Sequence, residues 1–441
     1  MQPTYDITSP QSLLDFAKGL SGKTLAEVID MAAVTENRDN KGDLGNMVEK
    51  YYYNVRPDNT THLPDFQDAG VELKTTGVLR KSDGGYKAKE RLVLTMINYM
   101  SLVDEQWDNS SLMEKCRLML ILFYLYEKGL PVFDRRFVLH PALFEFPEED
   151  LEIIRQDWET IRRKIEEGKA HELSEGDTYY LGACRKGSGG PNERLREQPF
   201  SEVLAKSRAF SLKPSYVNRI IQGHTAEVGA LEVSREISVE EATYAKFKPY
   251  LGRTIDEISE LLDFYKQGKN DKGFYRNLTM RILGGNKLVA PELEKAGVEL
   301  KTIRVNKDWM PAEAMSFPGF KYMEIIEEQW EDSSFFNKIE QKFLFVIFRE
   351  GADGELRLEK VSYWNMPYLD REEAQRVWED TKRRVAIDAS DLPKSVESPV
   401  AHVRPKAKDG NDTLPTPQGT QLIKKCFWLN RSYIGGVIGS I

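Results

Sequence analysis

Seven consecutive residues, AGVELKT, occur twice in this chain, as Ala69–Thr75 and again as Ala296–Thr302. A long repeat limits architecture more than composition does, because each copy must bury a core of its own. Three further pairs keep the same order. LSGKTL from Leu20 pairs with LGRTID from Leu251, DEQWDNSS around Trp107 with EEQWEDSS around Trp330, and RAFSLKPSY ending at Tyr216 with KCFWLNRSY ending at Tyr433. A whole domain is therefore duplicated. The join falls near Gly223–Ser238, which sets the domains at residues 1–225 and 239–441. Each is of common domain size and far longer than the roughly 20–50-residue unit of a solenoid.

Within a copy the pattern is mixed. SLLDFAKGL and TLAEVIDMAAV have helical spacing, with Thr24 as an N-cap, and NMVEKYYY continues in the same way. GVELKTTGVL alternates like a strand after a glycine turn, and the continuous apolar run RLMLILFYLYEKG suits a buried strand. FEFPEEDLEIIRQDWETIRRKIEEG is an amphipathic helix ending at Gly168, followed by late strands in YYLGACRKG and RAFSLKPSYV. The expected fold class is α/β, a mixed sheet flanked by helices, built twice in tandem.

Composition removes several function classes. No apolar run approaches the ~18 residues of a membrane span, and the start lacks a basic segment followed by an apolar one, so neither a membrane partner nor secretion is expected. Cys116, Cys184 and Cys426 lie far apart with no CxxC pair, and none of the five histidines forms an HExxH cluster. That argues against a disulfide framework, a zinc site and a histidine-based triad. AKGLSGKT at Ala17–Thr24 mimics a phosphate-binding loop, but the segment before it is helical where such a loop needs a buried strand.

A net charge of −8 does not speak for nucleic acid, yet phosphates feel the local field. Thr178–His224 holds eight basic residues against three acids, and Pro399–Ile441 six against two. Each copy ends in a basic segment.

The chemistry concentrates in Leu63-Pro64-Asp65 and Glu72-Leu73-Lys74. Two carboxylates are hard ligands suited to magnesium. In a strand Glu72 and Lys74 share one face, and Gly70 permits a turn that returns Asp65 beside Glu72 from a preceding strand. Lys74 then lies where it can hold or polarise a water attacking a phosphodiester. Taken alone, such alternating charge is what any exposed strand edge shows. The duplication sharpens it. The second copy keeps Pro291, Glu299 and Lys301, but Asp65 becomes Glu292 and Glu49 becomes Met280, while Lys41-Gly42 aligns with Lys272-Gly273. Change at two acidic positions is the mark of a copy released from catalysis.

At these residues the sequence resembles the MutH family of DNA endonucleases, within the PD-(D/E)xK nuclease fold. The likeness rests on RDNKGDLGNMVEKYYY, LPDFQDAGVELKT, HVRPKAKDG and KKCFWLNRSYI. The tandem arrangement is similar to the family's two-domain restriction enzymes, which cut before the G of GATC. The resemblance implies a magnesium site formed by Glu49, Asp65, Glu72 and Lys74, with Asp65 and Glu72 as the metal ligands. It also implies Lys41 near DNA and Lys115 near the scissile phosphate. The family's Arg-Pro-Lys turn is intact as Arg404-Pro405-Lys406 but is Arg185-Lys186 in the first copy, and an aromatic of the last strand is Trp428 in one copy and Ser211 in the other. Base readout is expected from Lys41, Arg185, Lys186, Ser211 and Lys213.

The expectation is thus a cytoplasmic bacterial type II restriction endonuclease. The first domain cuts double-stranded DNA with magnesium; the second, through Arg404, Lys406, Lys424, Lys425, Trp428 and Arg431, binds another copy of the site and activates the first. The protein is expected as a monomer that dimerises on DNA or loops it, with a cognate methyltransferase linked genetically and not by binding. A strand-nicking repair nuclease and a non-enzymatic DNA-binding regulator are the alternatives.

Overall fold

The computed structural model describes residues 5–34, 44–57, 62–187, 194–223, 237–267, 271, 273–284 and 291–441. Lys41, Lys272 and the expected domain end at 225 lie outside the described residues. Two compact units emerge, one drawn from Met1–Leu173, Thr178–Ala226 and Glu294–Gly297, the other from Ser174–Asp177, Glu227–Leu293 and Val298–Ile441.

The first unit contains β1 (Val71–Arg80), β2 (Tyr86–Ala88), β3 (Leu92–Met96), β4 (Leu118–Leu125), β5 (Ala142–Glu145), β6 (Leu181–Arg185), β7 (Leu195–Gln198), β8 (Ser201–Lys206) and β9 (Arg208–Leu212). They assemble as sheets of order β2-β1-β4-β5 and β3-β9-β6, plus the hairpin β7-β8. The second unit has β10 (Glu299–Val305), β11 (Met315–Gly319), β12 (Phe343–Glu350), β13 (Leu356–Trp364), β14 (Ala401–Pro405), β15 (Thr413–Pro415), β16 (Gln421–Ile423) and β17 (Lys425–Leu429). Their orders, β10-β12-β13, β11-β17-β14 and β15-β16, repeat the first unit strand for strand without β2. In each unit one pair is parallel, β1 with β4 and β10 with β12, and the rest are antiparallel. This is the mixed, helix-flanked α/β architecture expected, present twice.

Local sequence explains the framework. Every residue from Met119 to Tyr124 of β4 is buried, as a parallel strand covered on both faces requires. The helix Glu148–Glu166 places Glu148, Glu149 and Asp150 in its first turn and Arg163 and Lys164 in its last, complementing its dipole. It buries Ile154, Trp158, Ile161 and Ile165 along one stripe. Gly168 closes it at φ +71°, where a Cβ would stand 2.8 Å from the Phe200 carbonyl oxygen, so only glycine fits. The second unit repeats these contacts. The Trp107–Trp158 rings, 5.8 Å apart, recur as Trp330–Trp378 at 5.6 Å, and the 2.8 Å bond from Tyr216 Oη to Asp150 recurs from Tyr433 Oη to Asp370.

Two local expectations are corrected. TLAEVIDMAAV forms no α-helix: Ala26 N–H donates to the Phe133 carbonyl at 3.0 Å, and only the 3-10 turn Met31–Ala33 follows. The capping chemistry is nevertheless present, with Thr24 N–H donating to Glu27 Oε2 at 2.7 Å. In the second copy Thr254 and Glu257 make the same bonds at the start of a real helix, Ile255–Leu262. The late strand RAFSLKPSYV stops at Leu212, and Pro214–Gln222 is helical with proline at its first position.

Candidate active site

Three chain segments converge on the start of β1. Gly70, at φ +66°, ends the 3-10 turn Gln67–Ala69 and lets Phe66 bridge back to Val71. This return sets Asp65 against the strand, where Leu73 N–H donates to Asp65 Oδ2 at 2.9 Å and Asp65 N–H donates to Glu72 Oε2 at 3.1 Å. Asp65 therefore arrives from a single-residue bridge and not from the strand expected. Glu72 and Lys74, two apart on β1, share a face: Lys74 Nζ donates to Glu72 Oε1 at 2.7 Å and to the Leu94 carbonyl of β3 at 2.8 Å. Lys115 ends the helix Ser111–Cys116 that leads into β4, and because Val71 lies opposite Leu118, its ammonium comes within 3.6 Å of Glu72 Oε1. Glu49 is buried on a π-helical turn, Val48–Tyr52, a type of helix defect often found at working sites.

Burial dominates the electrostatics. It pushes the Glu49 carboxyl up to about 8, with the charges of Asp65 and Glu72 adding to it and those of Lys74 and Lys115 opposing. It pushes Glu72 up to about 7, against the pull of Lys74 and Lys115. Burial works against the charge on Lys74 too, but Cys116 and Glu72 hold it above its ordinary value. Since burial also drives the Cys116 thiol up to about 12 and leaves it uncharged at neutral pH, Glu72 is the partner that matters there. Buried acids that repel one another fit a hard divalent cation, which relieves that repulsion on binding. Among the described residues no three His, Cys, Asp or Glu side chains form a cage for a metal. The donor set is accordingly a carboxylate pair, with the rest of a cation's shell left to backbone, water and substrate.

The second unit arranges the equivalent residues differently. Glu299 and Lys301 start β10 as Glu72 and Lys74 start β1, but Glu299 pairs with Lys338 and, at 3.8 Å, with Lys301. Met280, in the place of Glu49, is buried, and Arg276 Nη1 lies 3.4 Å from its sulfur. Glu292 sits on the helix Pro291–Ala296, where its charge acts on the Tyr363 hydroxyl. Although burial works the other way, Lys338, Lys301 and Arg276 hold the Glu299 carboxyl below its ordinary value, the reverse of Glu72. Sequence reasoning missed Lys338 and Arg276. Lys338 was open to discovery, since it stands in WEDSSFFNK where Lys115 stands in WDNSSLMEK.

Comparison with known proteins bears on both units. The model of the family described as "MutH: DNA mismatch repair enzyme MutH" matches residues 54–157 and again 285–380. The DNA mismatch repair protein MutH of Shewanella baltica (strain OS185) is 26% identical over 47% of this chain and 92% of its own length. That of Shewanella sp. (strain MR-7) is 27% identical over 50% of this chain and 98% of its own. The type II restriction enzyme Sau3AI of Staphylococcus aureus is 32% identical over 96% of this chain and 92% of its own length. The chain belongs to the MutH family. It is a site-specific deoxyribonuclease with two tandem MutH-like domains.

The other residues expected to serve this MutH-family nuclease lie on and beside β6, β9, β14 and β17. Gly182 faces Ser211 across β6–β9, and His402 faces Trp428 across β14–β17. The same register sets Cys184 in the place of Arg404, Arg185 in that of Pro405 and Lys186 in that of Lys406. Arg185 and Lys186 are partly exposed at the end of β6. Ser211 is fully buried, and Lys213 is buried with Nζ donating to the Thr178 carbonyl at 2.5 Å. In this arrangement the Ser211 side chain is enclosed and the Lys213 ammonium is turned to the Thr178 carbonyl.

In the second unit Arg404 is exposed, with its guanidinium 3.8 Å from the centre of the Trp428 ring. Lys406 is exposed and donates to the Phe317 carbonyl at 2.9 Å. Lys424 is paired with Asp412, Arg431 donates to the Pro311 carbonyl, and Lys425 is partly buried over the Ser390 and Ala389 carbonyls. Arg404, Lys406 and Arg431 are the exposed cations of that set. No helix among the described residues is long and apolar enough to cross a membrane.

Proposed function

We propose that this chain is a type II restriction endonuclease that makes magnesium-dependent double-strand cuts at a short DNA site, GATC cut before its G, with Glu49, Asp65, Glu72, Lys74 and Lys115 as its active site. The observation that carries this reading is the mutual clamp of Asp65 and Glu72, flanked by two lysines, in a chain aligned along nearly its whole length with a type II restriction enzyme. Asp65 and Glu72 would hold the cation, with Glu49 beside them. When bound, magnesium supplies positive charge against the phosphodiester and eases deprotonation of a nearby water. The chain's own residues do the rest. Lys74, fixed between Glu72 and the Leu94 carbonyl, aims that water. Lys115 faces the charge that builds on the phosphate, and Glu49 is an acid poised to exchange a proton near neutral pH. The products carry 5′-phosphates. The acting partner is double-stranded DNA, and the second unit, with its exposed Arg404 and Lys406, binds another copy of the site and activates the first.

Digestion of a plasmid of known sequence, with and without magnesium, followed by sequencing of the ends, tests the reading. Double-strand breaks before the G of GATC support it. Single-strand nicks favour the repair-type activity in the name of the MutH relatives, and intact plasmid would leave only DNA binding.

A further inference from the structure

The two copies have opposite polarity at the same place. In the first unit three carboxyls, Glu49, Asp65 and Glu72, act on one another beside two ammonium groups, Lys74 and Lys115. In the second a single carboxylate, Glu299, is paired with Lys338 and Lys301 and feels the charge of Arg276, while the charge of Lys406 acts on Lys301. Arg276 and Lys406 are exposed, and the side chains of Lys301 and Lys338 keep 32% and 36% of their surface open, so the cluster faces solvent. Three cations around one carboxylate, with Met280 where an acid would stand, do not fit a divalent metal. They fit an anion, and several separate donors suit the oxygens of a phosphate. Lys301 and Lys338 occupy the positions of Lys74 and Lys115, so the backbone that presents cations to a scissile phosphate in one copy presents them again in the other.

We propose that the second unit's former metal site is a metal-independent DNA phosphate clamp made of Lys301, Lys338 and Arg276. It rests on the reading that the second unit grips DNA, and adds where and how. A backbone phosphate occupies the place vacated by the cation, so this unit holds a duplex in the register of a substrate without cutting it. Binding there is indifferent to sequence and to magnesium, and sequence preference is left to the stacked Arg404.

The test uses the full chain carrying Asp65→Ala, titrated with a short GATC duplex and a scrambled one, in EDTA and in magnesium, over a salt series. Two duplexes should bind per chain, one of them undiminished in EDTA. Lys301→Gln with Lys338→Gln should weaken that event equally for both duplexes and flatten its dependence of log K on log salt by about 0.9 for each phosphate no longer neutralised. Glu299→Gln should tighten it, a gain that misfolding cannot produce. Unchanged affinity and salt slope in the double variant, with Arg404→Ala still weakening the event, would overturn the clamp and leave the DNA-binding reading standing. A single duplex per chain, with Arg404→Ala silent as well, would overturn both.

Discussion

Glu49 and Glu72 keep protons to about 8 and about 7 because they are buried together. A carboxyl whose folded pKa lies above its unfolded value binds protons more tightly in the folded state, so stability falls as pH rises between the two values. In EDTA, Glu49→Gln should therefore raise the melting temperature, with an advantage that grows from about pH 5 and levels off above about pH 9, each kcal/mol appearing as roughly 2–4 °C. An advantage independent of pH would show that the buried charge is not its source. On the proposed mechanism the same crowding is useful chemically, since it favours binding of a cation. Asp65→Ala, Glu72→Ala and Lys74→Ala should each cut cleavage by about a hundredfold or more while leaving binding of the duplex largely intact, because phosphate and base contacts lie elsewhere. Cleavage assays beside binding titrations check this, and substantial cutting by Asp65→Ala would refute the assignment.

At the scale of elements, the return from Asp65 to Glu72 depends on one left-handed residue. No neighbour lies within 4 Å of a Cβ built at Gly70, so only the backbone conformation, φ +66°, restricts what stands there. Asparagine tolerates that region and valine does not. Gly70→Asn should thus retain much of the wild-type kcat, whereas Gly70→Val should lose most of it, by displacing Asp65, while the rest of the fold stays intact by circular dichroism. Equal losses in the two variants would mean that the turn does not aim the aspartate.

This element also shows what a sequence exposes. The two-residue alternation of Glu72 and Lys74, and the apolar run of β4, follow from strand geometry and could be read directly. The absence of a helix after Thr24 could not, because Thr24 and Glu27 make the same reciprocal bonds that cap a helix at Thr254. Local chemistry is equal in the two copies, and so is the bridge, Thr24 to Arg136 and Thr254 to Arg357; the first copy differs in that Ala26 N–H donates at 3.0 Å to the carbonyl of Phe133, distant in sequence. Lys213 is a related case. Its charge is visible in the sequence, but the carbonyl of Thr178 that takes it inward is not.

For the whole molecule, duplication allows two tasks that a single domain must combine to be divided, as proposed above. If the second unit's occupancy favours a state in which the first cuts faster, the coupling is a differential free energy between two arrangements of one chain. A plasmid with two sites should then be cut faster than one with a single site at low enzyme concentration. A short uncleavable duplex bearing the site should rescue the slower substrate, and a scrambled duplex should not. Reversing the charges at Arg404 and Lys406 should remove the rescue and spare the basal rate. Equal rates on the two plasmids would reduce the second unit to a clamp acting by counterion release.

The helix Pro291–Ala296 stands where the first unit has the bridge between Phe66 and Val71. That difference acts as a ratchet. Restoring glutamate at position 280 and aspartate at 292 one base change at a time returns the side chains but not the backbone path that carries Asp65 to Glu72, so no intermediate along the way is expected to regain activity for selection to keep. A chain with Met280→Glu and Glu292→Asp should accordingly remain a one-bladed nuclease, silent when Asp65→Ala is added. The way back to two blades runs through loop replacement, an insertion or recombination event, and not through point mutation.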